Sequence, residues 1–245
     1  RARTCAVMSV QGAADAAELV LITTNDGAIA EVASQVRWKP GQGVVHVSGA
    51  LGTDVLAPAV LGGARTASWH PFQTLAGSAR LDGVTFGIEA GDDFYAELAA
   101  MAVAVGGEPL AVSAEARALY HAASVLACGY LTTLLREARR VWEAAGLPEE
   151  AGRRAIGTVA AATLENVRTF GEGATVTGPV SRGDMATVRL HLQEIDSATP
   201  ELIPLYTAIS RRSAVLASEA GRPTGPLGTW DALYGEFLEP PKPEV

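Results

Sequence analysis

Glu18-Leu19-Val20-Leu21-Ile22-Thr23-Thr24-Asn25-Asp26 is an apolar run of strand length that stops abruptly in polar residues, the pattern of a strand buried on both faces. Working outward, Ile29 to Val36 reads as a helix and Gly43-Val44-Val45-His46-Val47-Ser48-Gly49-Ala50 as a second β-rich run stopped by Ser-Gly. An apolar stretch around Val55 to Leu61 follows. A third strand is predicted from Ala64 to Trp69, ending at His70-Pro71, and a fourth from Val84 to Glu89. Phe94 to Val105 reads as a helix stopped by Gly106-Gly107, before a last strand over Pro109 to Val112. Strands alternating with helices predict a mostly parallel α/β sheet.

From Ser113 the pattern changes. Ser113 is an N-cap candidate with Glu115 in the first turn, and apart from Gly129 nothing breaks the helical pattern before Gly146. That predicts one helix of roughly 30 residues, about 45 Å long. Further helices are expected over 148–170, 184–195 and 200–220, with a short one between Trp230 and Leu238 in a proline-rich tail. The expected organisation is an α/β domain over residues 1–112 and an all-α domain over 113–245. A dinucleotide-binding domain opens with a strand, a glycine-rich turn and a helix, and these elements do not precede Glu18. If this is such a domain, its first βαβ unit, roughly 40 to 60 residues, is expected upstream of Arg1.

Of the 245 residues, 48% are hydrophobic and 19% charged, enough apolar surface to offset chain entropy, so disorder is excluded. Nineteen Lys and Arg against 27 Asp and Glu give a net charge of −8, which argues against nucleic acid as a partner. Cys5 and Cys128 are too few and too far apart for a disulfide scaffold or a thiolate metal site, so no metal and a reducing, cytoplasmic setting are expected. No apolar run long enough to span a membrane is read, and no membrane partner is expected.

Three groups of residues carry candidate chemistry. In an open α/β sheet ligands bind outside the carboxyl ends of the strands, which would bring Thr23, Thr24, Asn25 and Asp26, Ser48 and Gly49, and His70 to Gln73 to one rim; each segment also reads as a plain turn. On the long helix, Leu119, Ala123, Leu126, Tyr130, Leu134 and Val141 share one face at 100° per residue. Arg117, His121, Ser124, Cys128 and Thr132 share the opposite face, either a cleft wall or a solvated surface. In Thr177-Gly178-Pro179-Val180-Ser181-Arg182-Gly183-Asp184, Asp184 is an N-cap with Thr187 and His191 on its face of the following helix. Arg182 before that helix suits a carboxylate or phosphate, or is an ordinary surface arginine.

Leu21 to Asp26, Val45 to Ala50, His70-Pro71-Phe72-Gln73-Thr74, Tyr120-His121-Ala122-Ala123 and Thr177 to Asp184 with Thr187 and His191 form a recognisable combination. The chain resembles a bacterial family of Rossmann-like candidate oxidoreductases whose helical C-terminal domain is catalogued as a domain of unknown function. That family is similar to deazaflavin-dependent NADP oxidoreductase, ketopantoate reductase, pyrroline-carboxylate reductase and the 6-phosphogluconate dehydrogenase C-terminal-domain-like group. The resemblance implies an NADP- or NAD-binding first domain and a helical domain that builds a homodimer, with a small-molecule substrate held between the two. It implies that Thr23, Thr24 and Asn25 lie along the dinucleotide, and Ser48 and Gly49 near its nicotinamide end. Where relatives often carry Ser-Asn-Tyr in the long helix, this chain has Cys128-Gly129-Tyr130.

Two functions are expected from these readings. The first is an NAD(P)-dependent oxidoreductase acting on a small carboxylate-bearing carbonyl or imine compound. In it His121 is the general acid/base, Arg182 fixes the carboxylate, and Ser48, His70 and Gln73 line the pocket with Ser124, Asp184 and His191. The second is a non-catalytic dimeric sensor or scaffold that keeps the nucleotide fold, favoured by Gly129 and by the lack of a lysine on the polar face of the long helix.

Overall fold

The computed structural model describes residues 7–74 and 80–238. The chain divides into two compact units, Arg1–Leu131 and Thr132–Val245. The sequence pattern changes at 112, where the strands stop, whereas the packing divides later, so the first unit also takes in the start of the long helix.

In the first unit, α1 (Val10–Asp15), β1 (Leu19–Ile22), α2 (Asp26–Gln35), β2 (Gly43–His46), α3 (Ala57–Leu61), β3 (Arg65–Pro71), β4 (Thr85–Glu89), α4 (Asp92–Ala104) and β5 (Glu108–Ala111) follow in order. The five strands lie in the sheet in chain order. β1, β2 and β3 are parallel, β4 runs antiparallel to β3, and β5 is parallel to β4. The expected α/β unit is present, and α1 is an addition to it, a short helix capped by the Ser9 hydroxyl.

Side chains alternate across a strand, and here the alternation divides apolar from polar. Val45, Ala67, Trp69, Phe86 and Ile88 point into a core closed by Phe94, Leu98 and Ala102 of α4. On the other face Ile22 and Val44 pack with Ile29, Ala33, Leu56 and Ala59 under α2 and α3. Toward β3 and β4 that second face turns polar, because the residues alternating with the apolar ones are His46, Ser68, His70, Gly87 and Glu89. The register sets His46 beside Ser68, Ser68 beside Glu89, and His70 beside Gly87.

The cover for this polar patch is α5 (Arg117–Val125), which continues through a π turn (Leu126–Tyr130) into α6 (Leu131–Ala144). The helix begins at Arg117 and not at Ser113, whose hydroxyl accepts from the Ala116 N–H in the preceding turn. Its two faces are inverted relative to an ordinary surface helix. Arg117 is only 2% exposed, while Leu119, Leu126 and Tyr130 are 79%, 62% and 61% exposed. The expectation that no apolar run could span a membrane also needs correction. Arg117–Ala144 is 28 residues long with mean hydropathy 1.4 in its best window, enough by length and composition alone.

The second unit is helical: α6, α7 (Glu149–Phe170), α8 (Glu172–Thr175), α9 (Met185–Ala198), α10 (Ile203–Glu219) and α11 (Leu227–Leu238). Its core joins Val188, Leu192 and Ile195 of α9 to Ile203 and Ala214 of α10 and to Trp230, Leu233 and Tyr234 of α11. The Trp230 indole donates to the Thr224 carbonyl at 2.9 Å. The predicted helices over 148–170, 184–195, 200–220 and 230–238 match α7, α9, α10 and α11.

Candidate active site

The Ser48–Thr53 loop after β2 is tied down by hydrogen bonds at both ends and in the middle. The Ser48 hydroxyl donates to the Asp26 carboxylate at 2.8 Å and accepts from the Ala50 and Leu51 N–H groups at 3.2 and 3.1 Å. The Ser48 N–H donates to Nδ1 of His46 at 3.2 Å, and His46 Nε2 contacts the Gly52 carbonyl at 3.0 Å. An imidazole that accepts at one nitrogen and donates at the other is neutral. Burial, the largest influence on His46, agrees by holding its pKa below the ordinary histidine value.

Arg117 closes the floor. Its Nε donates to Glu89 at 2.7 Å and its Nη1 to the Ser68 hydroxyl at 3.0 Å, and that hydroxyl donates onward to the Ser48 carbonyl at 3.3 Å. Glu89 also accepts from the Thr53 hydroxyl at 2.9 Å and the Thr53 N–H at 3.3 Å. Burial works to raise the Glu89 carboxyl, and the bonds from Arg117 and Thr53 outweigh it, so its pKa lies below the usual carboxylate value.

Above this floor two histidine rings meet over Gly49, and the Tyr120 ring lies over Gly87. His70 Nδ1 and the Tyr120 hydroxyl are 2.9 Å apart, and the Tyr120 ring lies against Phe72 with centroids 5.2 Å apart. His70 and His121 stand edge to face at 6.3 Å. A Cβ on Gly49 would come within 2.8 Å of both histidine rings, so the loop backbone passes directly beneath them. Burial first, then the neighbouring His121 and Arg117 charges, push the His70 pKa down to about 4. Burial raises that of Tyr120. His70 is therefore neutral at pH 7.

The predicted residues fall into three sets. Ser48, Gly49, His70 and His121 are brought together, with Ser124 half-buried on the His121 side of α5. Thr23, Thr24 and Asn25 form the exposed rim after β1. Asn25 stands at the N-cap of α2 without capping it, which leaves its amide facing outward. Gln73 is exposed, and its side-chain oxygen accepts from the Thr74 N–H at 2.9 Å. Arg182, Asp184 and His191 belong to the second unit. Asp184 caps α9, accepting from the Thr187 N–H at 3.0 Å and hydroxyl at 2.7 Å, so its carboxylate is occupied as a cap. His191 pairs with the Tyr206 hydroxyl at 2.8 Å, and Arg182 is exposed at the end of the 3₁₀ turn Val180–Arg182. Cys128 lies in the π turn, and Cys5 falls outside the described residues. Among the described residues, no group of three or more His, Cys, Asp or Glu is placed to hold a metal ion.

Sequence reasoning did not select Arg117, Glu89, Ser68 or Gly87 as site residues. The available signal was the period-two register of His46, Ser68-x-His70 and Gly87-x-Glu89 within otherwise apolar strands.

These features define a Rossmann-like protein. A Rossmann-like domain profile matches residues 1–71. The chain belongs to the family defined by the domain of unknown function DUF2520, which matches residues 84–213. Among solved structures, a protein of Thermotoga maritima is 24% identical, with a TM-score of 0.71 over 84% of this chain and 81% of that one. A candidate NADP oxidoreductase of Bacteroides fragilis is 22% identical, with a TM-score of 0.68 over 81% of this chain and 75% of that one. A reductive aminase of Aspergillus terreus, solved in complex with NADPH4, cyclohexanone and allyl amine, is 15% identical, with a TM-score of 0.54 over 92% of this chain and 82% of that one. At these identities the likeness establishes the fold. No curated protein sequence matches.

Proposed function

We propose that this protein is an NADP-dependent oxidoreductase acting on a small carboxylate-bearing carbonyl or imine compound, with His121 as general acid/base. The observation that carries the reading is the meeting of His70 and His121 over the Gly49 backbone, outside the carboxyl ends of the parallel strands β2 and β3. The rim fits a nicotinamide and its ribose. Thr23, Thr24 and Asn25 offer hydroxyl and amide groups without a cation, the donor set for a carboxamide and sugar hydroxyls, while the Ser48 hydroxyl is already spent on Asp26 and the loop amides. A nicotinamide bound there supplies or accepts the hydride.

The chain's own residues divide the remaining work. His70, held by Tyr120 and neutral, orients a polar substrate group without competing for the proton. His121, the other imidazole over Gly49, delivers the proton to the nascent amine or alkoxide. Ser48, fixed by Asp26, holds the loop in register. Arg182 is assigned to the substrate carboxylate.

A second copy of the chain is proposed to cover the outward apolar face at Leu119, Leu126 and Tyr130, giving a homodimer in a cytoplasmic setting. Sedimentation velocity should show a dimer at micromolar concentration, and Leu126→Glu should yield monomer; a wild-type monomer would remove this part of the reading.

The test of function is a panel of 2-oxo acids and cyclic imines, with NADPH and NADH absorbance followed on the full chain. Turnover should vanish in His121→Ala with nucleotide binding retained. Arg182→Ala should raise KM for acidic substrates at least tenfold, about 1.4 kcal/mol of lost carboxylate binding. Tight nucleotide binding with no turnover on any substrate would favour the sensor function instead.

A further inference from the structure

We infer that Arg117 is the positioning residue of this site, the side chain that locks the His121-bearing helix and the Ser48–Thr53 loop into one geometry. The inference rests on the assignment of His121 as the proton-transfer group. It begins from an arginine in an unfavourable place. Arg117 occupies the first turn of α5, where the helix macrodipole disfavours a cation, and it is almost fully buried, where desolvation opposes charge.

An apolar side chain of similar length could fill that space without either penalty. What it could not do is hold two partners at fixed angles. The guanidinium fork spends Nε on Glu89 of β4 and Nη1 on Ser68 of β3. Each partner then reaches a different end of the same loop. Ser68 donates to the Ser48 carbonyl at its start, and Glu89 accepts the N–H and hydroxyl of Thr53 at its end.

Arg117 and His121 are four residues apart on α5 and share a face. Any rotation or slide of the helix that displaced His121 would therefore strain the fork, and any lift of the loop beneath Gly49 would break it. The fit over Gly49 leaves little slack, since both histidine rings already stand where a single added carbon would collide. A planar fork with rigid donor geometry suits this task, and a lysine, a single point charge on a flexible stem, does not.

The experiment compares Arg117→Lys, which keeps the charge and loses the fork, with Ser68→Ala, which keeps the Arg117–Glu89 pair and cuts the Ser68 arm, both the bond from Nη1 and the link to Ser48. Amide hydrogen exchange at Ala50, Leu51 and Thr53 is measured on the full chain, with the amides of β1 as internal reference. On whichever substrate of the panel the wild type turns over, kcat and the KM for NADPH are measured as well. Arg117→Lys should exchange at least tenfold faster at all three loop amides and Ser68→Ala at Ala50 and Leu51, with β1 unchanged, and in both kcat should fall at least tenfold while KM for NADPH stays within about twofold.

Wild-type exchange in both variants overturns the inference, as does faster exchange with kcat unaltered, which would leave the fork a purely structural feature. Should Arg117→Lys fail to fold by circular dichroism, Ser68→Ala alone decides by the same criteria. Should the wild type reduce nothing, the oxidoreductase reading fails, and the exchange rates alone decide whether Arg117 holds the loop.

Discussion

Gly87 lies opposite His70 in the β3–β4 register, beneath the phenol of Tyr120. A Cβ at this position would stand 2.5 Å from the Tyr120 hydroxyl oxygen, 2.6 Å from Cζ and 3.1 Å from Cε2. Its φ is not positive, so alanine meets no backbone objection and the whole effect comes from the ring. Ordinary contact begins near 3.5 Å, so Tyr120 must retreat by about 1 Å. It is held by His70 at 2.9 Å and by Phe72. Overpacking of this kind costs about 1–3 kcal/mol, and loss of the Tyr120–His70 bond adds about 1 kcal/mol. Gly87→Ala should therefore destabilise the first unit by about 2–4 kcal/mol. In a Tyr120→Ala background the obstruction is gone, and the same substitution should be neutral or should stabilise by up to about 1 kcal/mol, because alanine restricts the unfolded chain. Urea titration followed at the amide signals of β3 and β4 reads this unit, and the double-mutant cycle isolates the contact. Equal losses in the two backgrounds, within about 0.5 kcal/mol, would refute the claim that Gly87 exists to admit Tyr120.

Two further predictions concern charge. The folded pKa of His70, about 4, lies below its unfolded value of about 6.5, so between these limits the unfolded state binds more protons and stability falls as pH drops from 6.5 toward 4. His70→Gln should show a shallower loss over that window in urea midpoints, and parallel curves would contradict the depressed value. Arg117→Met leaves the Glu89 carboxylate without its partner and should cost about 3–5 kcal/mol, whereas the Arg117→Met, Glu89→Gln double variant should recover most of it. A double variant as unstable as the single one would show that packing, and not the unpaired charge, sets the cost.

The order of strands and helices was legible because each strand is an apolar run ended by turn residues and each helix has its own stop, as Gly49 ends the second run and Gly106-Gly107 ends α4. The rim at Ser48 and His70 was legible from the rule that ligands gather at the carboxyl ends of parallel strands. The π turn was not, since Leu126 to Tyr130 carries no signal of its own beyond Gly129. Nor was the Arg117–Glu89 pair. The two residues lie 28 apart; Arg117 reads only as part of a polar helix face, cleft wall or solvated surface alike, and Glu89 only as the charge that ends a strand. Only the register that places Glu89 beside Ser68, and Ser68 beside His46, shows that these polar positions share one face. A sequence reading finds which residues alternate, and needs the pairing to learn what they alternate against.

The long helix carries both of the chain's separable requirements on opposite faces. Reading its apolar stripe as the inward one would place Leu119, Leu126 and Tyr130 in the core and leave Arg117 and His121 to solvent. The sheet forbids that arrangement. Its face between β2 and β4 presents His46, Ser68, His70 and Glu89, which an apolar helix would desolvate without supplying donors or acceptors. The polar stripe must therefore turn inward, where Arg117 satisfies Ser68 and Glu89 and Tyr120 satisfies His70, and the apolar stripe is left outside. An exposed apolar face on this helix is thus the direct consequence of a polar site beneath it. The proposed dimer would give Leu119, Leu126 and Tyr130 the cover that they lack within one chain.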